Sequence, residues 1–266
     1  MKKLIDFDGL FEEKLKEYMH AHADKYSESQ WEALIPKLYR NFSDTFVKSA
    51  GNTPKGYYAE MNDSELVETL CAHIREEVPV SDFLLSEIER RRPDGLFALL
   101  KSKDERLVVL AVNLVGDDKR AYPYYFEILS CENEEIKDTV MERLKAAADE
   151  VRDRALELYL SGVLRDYMLE ILSRCREKDD RVLEVLLKEF RTSSDDLPKL
   201  TSYLASYGDE RALPVLLEYI DREDIRYVEF QELKFAVEAL GGEYTRSRDF
   251  SEDPDFQEIF SQSQLK

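Results

Sequence analysis

Histidine and cysteine are scarce in this 266-residue chain, three of each. Four of the six form two close pairs, His20 with His22 and Cys71 with His73. Side chains two residues apart on a helix point to nearly opposite sides. Either pair could share an ion only from an extended segment, and a composite site would need the first and third helices to meet. The usual zinc spacings are missing, so no metal site is expected. Acidic pairs such as Asp117-Asp118 and Asp195-Asp196 flank helices, where aspartate accepts from free backbone N–H groups. Acid–base catalysis by two carboxylates would require burial to separate their pKa values, and nothing in the sequence points to that. No phosphate-binding loop, dinucleotide fingerprint, nucleophile elbow or zinc-protease motif occurs. The reading is therefore of no catalytic residues and no cofactor.

Recognition chemistry remains. Tyr122, Tyr124 and Tyr125 cluster, Tyr203 and Tyr207 stand four apart, and Tyr167 and Tyr227 lie on similar stretches. The charged neighbours are Arg165, Lys199 and Arg226. A tyrosine offers an apolar body and a polar tip, which suits both a binding surface and a core ring with its hydroxyl at the rim.

The elements carrying these residues recur. The spacing i, i+3, i+4, i+7 marks one helix face. It occurs as Tyr122, Tyr125, Phe126, Leu129; as Leu156, Tyr159, Leu160, Val163; as Leu183, Leu186, Leu187, Phe190; and as Leu213, Leu216, Leu217, Ile220. An imperfect copy, Leu96, Leu99, Leu100, comes first, and the steps between copies are 26, 34, 27 and 30 residues. Arg120, Arg154, Arg181 and Arg211 each stand two residues ahead of a copy. Second helices are predicted over residues 104–115, 134–147, 164–175, 197–207 and 225–240. Gly116, Gly208 and Gly241 follow second helices, where a left-handed cap suits glycine. Pro123 and Pro214 fall in first turns, where the missing N–H costs nothing. A period near thirty of this kind predicts stacked helix pairs.

Residues 1–78 read as helical but non-repeating. Leu10, Leu15 and Tyr18 share a face, and residues 31–46 place Leu34, Leu38, Phe42 and Phe46 four apart with Pro36 in the first turn. Residues 51–56 are turn-rich, Asp63 or Ser64 caps the next helix, and Leu66, Val67, Leu70 and Ile74 share its face. Val78-Pro79-Val80 reads as extended. The expected organisation is a helical region at 1–78, repeats at 79–242 and a tail from 243. In that tail Phe250, Phe256, Ile259 and Phe260 could let residues 255–260 dock as a short capping helix.

Lys plus Arg number 38 against 57 Asp plus Glu, a net charge of −19. Nucleic-acid affinity comes largely from cations that neutralise phosphates, so such a partner is disfavoured. The one basic run, Arg90-Arg91-Arg92, ends a helix before Pro93, where cations favour the dipole. No apolar run approaches the ~20 residues that cross a bilayer. The acidic start, without an apolar stretch, reads as no signal peptide, and the scattered cysteines as reduced, so a cytoplasmic location is expected.

The stretches GDERALPVLLEYI and AVEALGG, with the looser LAVNLVGD and GDDKRAYPYYFEIL, resemble HEAT-like repeats of the short, bilin-lyase type over residues 93–242. The last repeat departs from that pattern, with Leu233 where such repeats carry an Arg early in the second helix. The resemblance implies an all-α fold: a right-handed α-solenoid of about five helix pairs preceded by a small helical region. In such arrays second helices line a concave face. That would put Tyr167, Tyr203 and Tyr227 on or near it, beside Arg165, Lys199 and Arg226. The expected function is a non-enzymatic adaptor that binds a protein or peptide there. Two alternatives stand: a HEAT-like enzyme or chaperone of bilin-lyase or DNA-glycosylase kind, the latter needing a basic groove, and a regulatory module whose two halves bind different partners.

Overall fold

The computed structural model describes residues 3–193 and 196–263, with side chains described through Ile259. The protein is all-helical: sixteen α-helices and two single turns of 3-10 helix occur among the described residues. Apart from one bridge between Val47 and Asn52, no strand is present among them. No helix among them is long and apolar enough to cross a membrane. The chain divides into two compact units, Met1–Ile128 and Leu129–Lys266. Residues 79–128, expected to open the repeats, fall within the first unit.

The first unit holds α1 (Phe7–Ala21), α2 (Glu28–Phe42), α3 (Pro54–Ala59), α4 (Asp63–Arg75), α5 (Asp82–Arg91), α6 (Gly95–Leu99), α7 (Glu105–Val115) and α8 (Tyr122–Ile128). Its N-terminal core is aromatic. Phe7 is fully buried and meets Tyr57, Tyr58 and Phe83 edge-on at 5.6, 5.7 and 6.3 Å. Beside it, the Asp8 carboxylate accepts from the Tyr39 hydroxyl at 2.6 Å and the Asp82 N–H at 3.0 Å, joining α1, α2 and α5. Arg91 makes a second tie. Its guanidinium donates to the carbonyls of Ala59 and Met61 at 2.7 and 2.6 Å and to Glu87 at 2.6 Å. The basic run thus does more than end a helix; it fixes α5 to the turn between α3 and α4.

Several local expectations are corrected. Ser27 and Gln30 form a capping box, so α2 starts at Glu28 and Pro36 lies in its interior. A proline there deprives the carbonyl of Glu32 of its helical partner. Because α2 ends at Phe42, Phe46 leaves the apolar stripe and is 62% exposed. Phe7 and Phe11 carry the buried face of α1, with Leu10, Leu15 and Tyr18 only half-buried. Residues 51–56 include the start of α3, with Pro54 in its first turn. Asn62, with Glu65, caps α4, not Asp63 or Ser64. The α4 face also turns, burying Thr69 and His73 with Leu66 and Leu70.

The second unit holds α9 (Glu134–Ala146), α10 (Ala148–Leu160), α11 (Arg165–Leu172), α12 (Asp180–Thr192), α13 (Leu197–Tyr207), α14 (Leu213–Ile220), α15 (Tyr227–Ala239) and α16 (Pro254–Ser263). The second helices pack in chain order, α9 on α11, α11 on α13 and α13 on α15, while α10, α12 and α14 pack against α11, α13 and α15. Val140, Leu144, Met168, Ile171, Leu204 and Leu233 line the buried side. Each such side chain contributes about 1.5–3 kcal/mol relative to exposure. The α10 face departs from expectation. The helix stops at Leu160, which is 73% exposed, Val163 is 45% exposed, and Val151 and Ala155 are buried instead. Gly116, Gly208 and Gly241 take the expected positive φ of 60°, 70° and 81°.

The recurring arginines resolve into a rung. Asp118, Asp179 and Asp209 each accept the N–H of the residue two ahead at 2.9–3.0 Å. Each also grips that residue's guanidinium, that of Arg120, Arg181 or Arg211, at 2.7–2.8 Å. Each arginine then reaches back to an earlier aspartate: Asp94 at 2.7 Å, Asp153 at 2.7 Å and Asp180 at 2.6 Å. Arg154 does not join; it pairs with Glu157 on its own helix at 2.6 Å.

Residues 243–259 fold onto α15. Phe250 lies 5.0 Å from Phe230, and Tyr244 and Arg246 hold Asp221 at 2.8 and 2.7 Å. The expected short helix is α16, capped by Asp253; the side chain of Phe260 lies outside the described residues.

Two predictions follow from these ties. Replacing Arg91 by Met leaves Glu87, only 11% exposed, with Arg90 alone and takes the donor from two carbonyls. Chemical denaturation should show a loss of about 2–4 kcal/mol. Hydrogen bonds from Arg120 and Arg181 hold the Asp118 and Asp179 carboxyls at about 2, below the ordinary 3.8. Their stabilisation is present above the unfolded value and is lost as pH falls through about 2. Acid melts should therefore show a drop in stability from pH 4 downward, smaller in Asp179→Asn.

Candidate binding surface

Of the residues expected to bind, Tyr167 lies on α11 and Lys199 and Tyr203 on α13. Tyr167 projects from α11, half-buried, within electrostatic reach of Lys137 on α9. Lys137 is itself held by Glu134 at 2.5 Å, a contact that raises its pKa. One helix on, Tyr203 is half-buried on α13. Burial first, and then the carboxylates of Glu170 and Asp166 on α11 and of Asp196, push its hydroxyl well above the ordinary pKa. Arg174 opposes that shift. Lys199 lies 6.0 Å from the Tyr203 ring centre and 3.5 Å from Asp196. Lys145 of α9 spans to Glu170 of α11 at 2.8 Å. The surface is thus a row of half-buried tyrosines set among paired charges. It can stack a peptide side chain and exchange hydrogen bonds with a backbone, but it holds no nucleophile–base pair.

The other expected site residues lie elsewhere. Arg165 starts α11 but sits 4.8 Å over the Tyr159 ring, donates to the Tyr159 hydroxyl at 3.0 Å and pairs with Glu189 of α12. Tyr159 also donates to Glu189, which closes the cluster. Arg226 and Tyr227 stand at the start of α15, Arg226 exposed and Tyr227 covered by the tail. The Tyr227 ring meets Phe250 and Phe256 at 5.4 and 5.0 Å, its N–H donates to Asp253 at 3.0 Å, and Arg226 pairs with Asp255 at 3.7 Å. Tyr122, Tyr124 and Tyr125 belong to the first unit, where Tyr125 is buried and donates to the carbonyl of Gly116.

The remaining candidates resolve locally. His73 is buried and donates through Nδ1 to the carbonyl of Pro79 at 2.8 Å; His22 does the same to Tyr18 at 2.9 Å. Among the described residues no group of three or more His, Cys, Asp or Glu side chains could hold a metal ion. Burial pushes the Cys175 thiol up to about 11. Asp196 makes no side-chain cap bond to α13, and Asp195 lies outside the described residues.

Two furrows run beside α12. One, of about 530 Å³ between α10 and α12, is lined by Tyr159, Leu160, Val185 and Lys188; the next, of about 430 Å³, is lined by Leu183, Leu187, Arg191 and Thr192. The rungs Asp153–Arg181 and Asp180–Arg211 border them. The sequence reading did not find these furrows. Exposed Leu160 was their signal, hidden because it fits the apolar spacing of α10.

No protein-family model, curated protein or solved structure matches the chain.

The Arg165 cluster carries a prediction. Arg165→Ala leaves Glu189, 13% exposed, without its cation. Because Arg165 is half exposed, the loss in urea denaturation should be modest, about 1 kcal/mol.

Proposed function

We propose that the second unit is a HEAT-like, right-handed α-solenoid of helix pairs. It serves as a non-enzymatic scaffold that binds an extended peptide or protein segment across its second helices. The carrying observation is the packing of α9, α11, α13 and α15 in chain order, each next pair adding one strip to a continuous helical surface. Repeat arrays use such surfaces for binding because every strip repeats the same geometry with different side chains. Tyr167, Lys199 and Tyr203 are the contact residues of this reading; Arg165 supports it from the cluster with Tyr159, and Arg226 and Tyr227 from beside the tail. The net charge of −19 supports a protein partner over a nucleic acid.

Replacing Tyr167, Lys199 and Tyr203 together by Ala should remove most partner capture from native lysate while far-ultraviolet circular dichroism stays unchanged. Retention of the same partners by the triple variant would overturn the reading. Loss of capture on Leu160→Asp alone would move the surface to the furrow between α10 and α12.

A further inference from the structure

The second unit contains a concentration of positive charge that runs against the charge of the whole chain. A pocket of about 480 Å³ lies where three turns meet: the α9–α10 junction, the α11–α12 turn and the end of α13. Lys145, Asp149, Arg174, Arg176, Lys178 and Tyr207 line it. The single carboxylate faces inward, since Asp149 accepts the N–H groups of Arg176 and Glu177 at 2.9 and 3.0 Å and so braces the turn. Lys178 donates to the carbonyl of Tyr207 and lies 4.5 Å over its ring. Tyr207 in turn hydrogen-bonds both backbone groups of Asp179, accepting at 2.7 Å and donating at 3.0 Å. The walls are therefore fixed from both sides.

Two cations are left over. Arg174 and Arg176 are exposed, and among the described residues neither guanidinium has an ion-pair partner. Arg181, Arg211 and Arg222, each two residues from an aspartate, are by contrast paired with it. The two flank the buried Cys175, and both line the pocket. A planar carboxylate is satisfied by one guanidinium fork, whereas a tetrahedral phosphate offers oxygens to several donors at once. A phosphate monoester carries about −1.5 to −2 at neutral pH, a match for two free guanidiniums with the Lys178 ammonium behind them, Lys145 being held by Glu142 and Glu170 at 2.5 and 2.8 Å. Elsewhere the acidic field repels such a group, which focuses it here. Arg174 is also within electrostatic reach of Tyr203, so the pocket adjoins the surface assigned to the peptide.

We propose that the pocket between Lys145, Arg174, Arg176 and Lys178 binds a phosphate monoester carried on the side chain of an extended peptide. This rests on the scaffold reading above and specifies its partner.

Inorganic phosphate should be titrated into the full chain at constant ionic strength, with backbone amide shifts followed by NMR. Random-sequence peptide pools with a central phosphoserine, or serine at the same place, should be compared by fluorescence polarisation. The expected result is shifts confined to residues around 145–149, 174–178 and 206–208, and tighter binding of the phosphorylated pool. In R174Q/R176Q both effects should weaken roughly tenfold or more, while R154Q/R222Q, which removes the same two charges outside the pocket, should leave them unchanged. Equal phosphate binding by R174Q/R176Q, or no shifts at the pocket, would overturn the site. Phosphate binding with no preference for the phosphorylated pool would overturn the peptide source and leave a pocket for small phosphorylated molecules. The Tyr167, Lys199 and Tyr203 triple variant, assayed with the unphosphorylated pool, reports separately on the scaffold reading.

Discussion

Within each unit an arginine shared between two aspartates fixes how one helix meets an earlier one. The nearer aspartate caps the new helical turn and orients the guanidinium; the farther one, 26 to 31 residues back, receives the remaining N–H groups. Apolar burial supplies most of the stabilisation, yet it is non-directional and would tolerate a slide along the helix axis. The guanidinium fork is directional. Because the capping aspartate is also the ion-pair partner, the start of a helix and its contact with the earlier helix are set by the same atoms. Exposure keeps each rung's energy small, so its value lies in register.

The N-terminal part of the first unit, through α5, achieves the same end by a different route. Asp8 gathers a tyrosine hydroxyl and a backbone N–H from two other helices at the edge of an aromatic core. Arg91 satisfies two carbonyls of the α3–α4 turn that no helix covers. These are single ties among dissimilar helices, which accounts for the absence of any period in residues 1–78.

The sequence reading recovered the parts of the fold that depend on local chemistry. The second helices fell within two residues of expectation except at the end of α11, which stops at Leu172, three residues short. The left-handed glycine caps were anticipated because few other residues take that conformation cheaply. It missed where long-range packing decides. Leu160 and Val163 continue the spacing of α10, but the helix stops before Val163 and nothing covers either side chain. The apolar stripe put Pro36 in a first turn, while the Ser27–Gln30 box starts the helix at Glu28, about two turns before it. The rung was half legible: the arginines were found, but the aspartates they reach lie one helix pair away. Of the site residues, Tyr167, Lys199 and Tyr203 share a surface; Arg165 and Tyr227 were drawn off by Glu189 and by Phe250 and Phe256, contacts that sequence spacing does not encode. Arg174 and Arg176 escaped notice because Cys175 and Glu177 interrupt what would read as a basic run.

The fold of residues 243–259 over α15 bears on self-association. A stack of helix pairs ends in an apolar edge, and an uncovered edge can accept the first pair of another copy and grow into a fibre. Here the rings of Tyr227 and Phe230 are sealed by Phe250 and Phe256, and the preceding turn is clamped by Arg246 and Arg248. The segment thus withdraws these rings from contact with another copy of the chain.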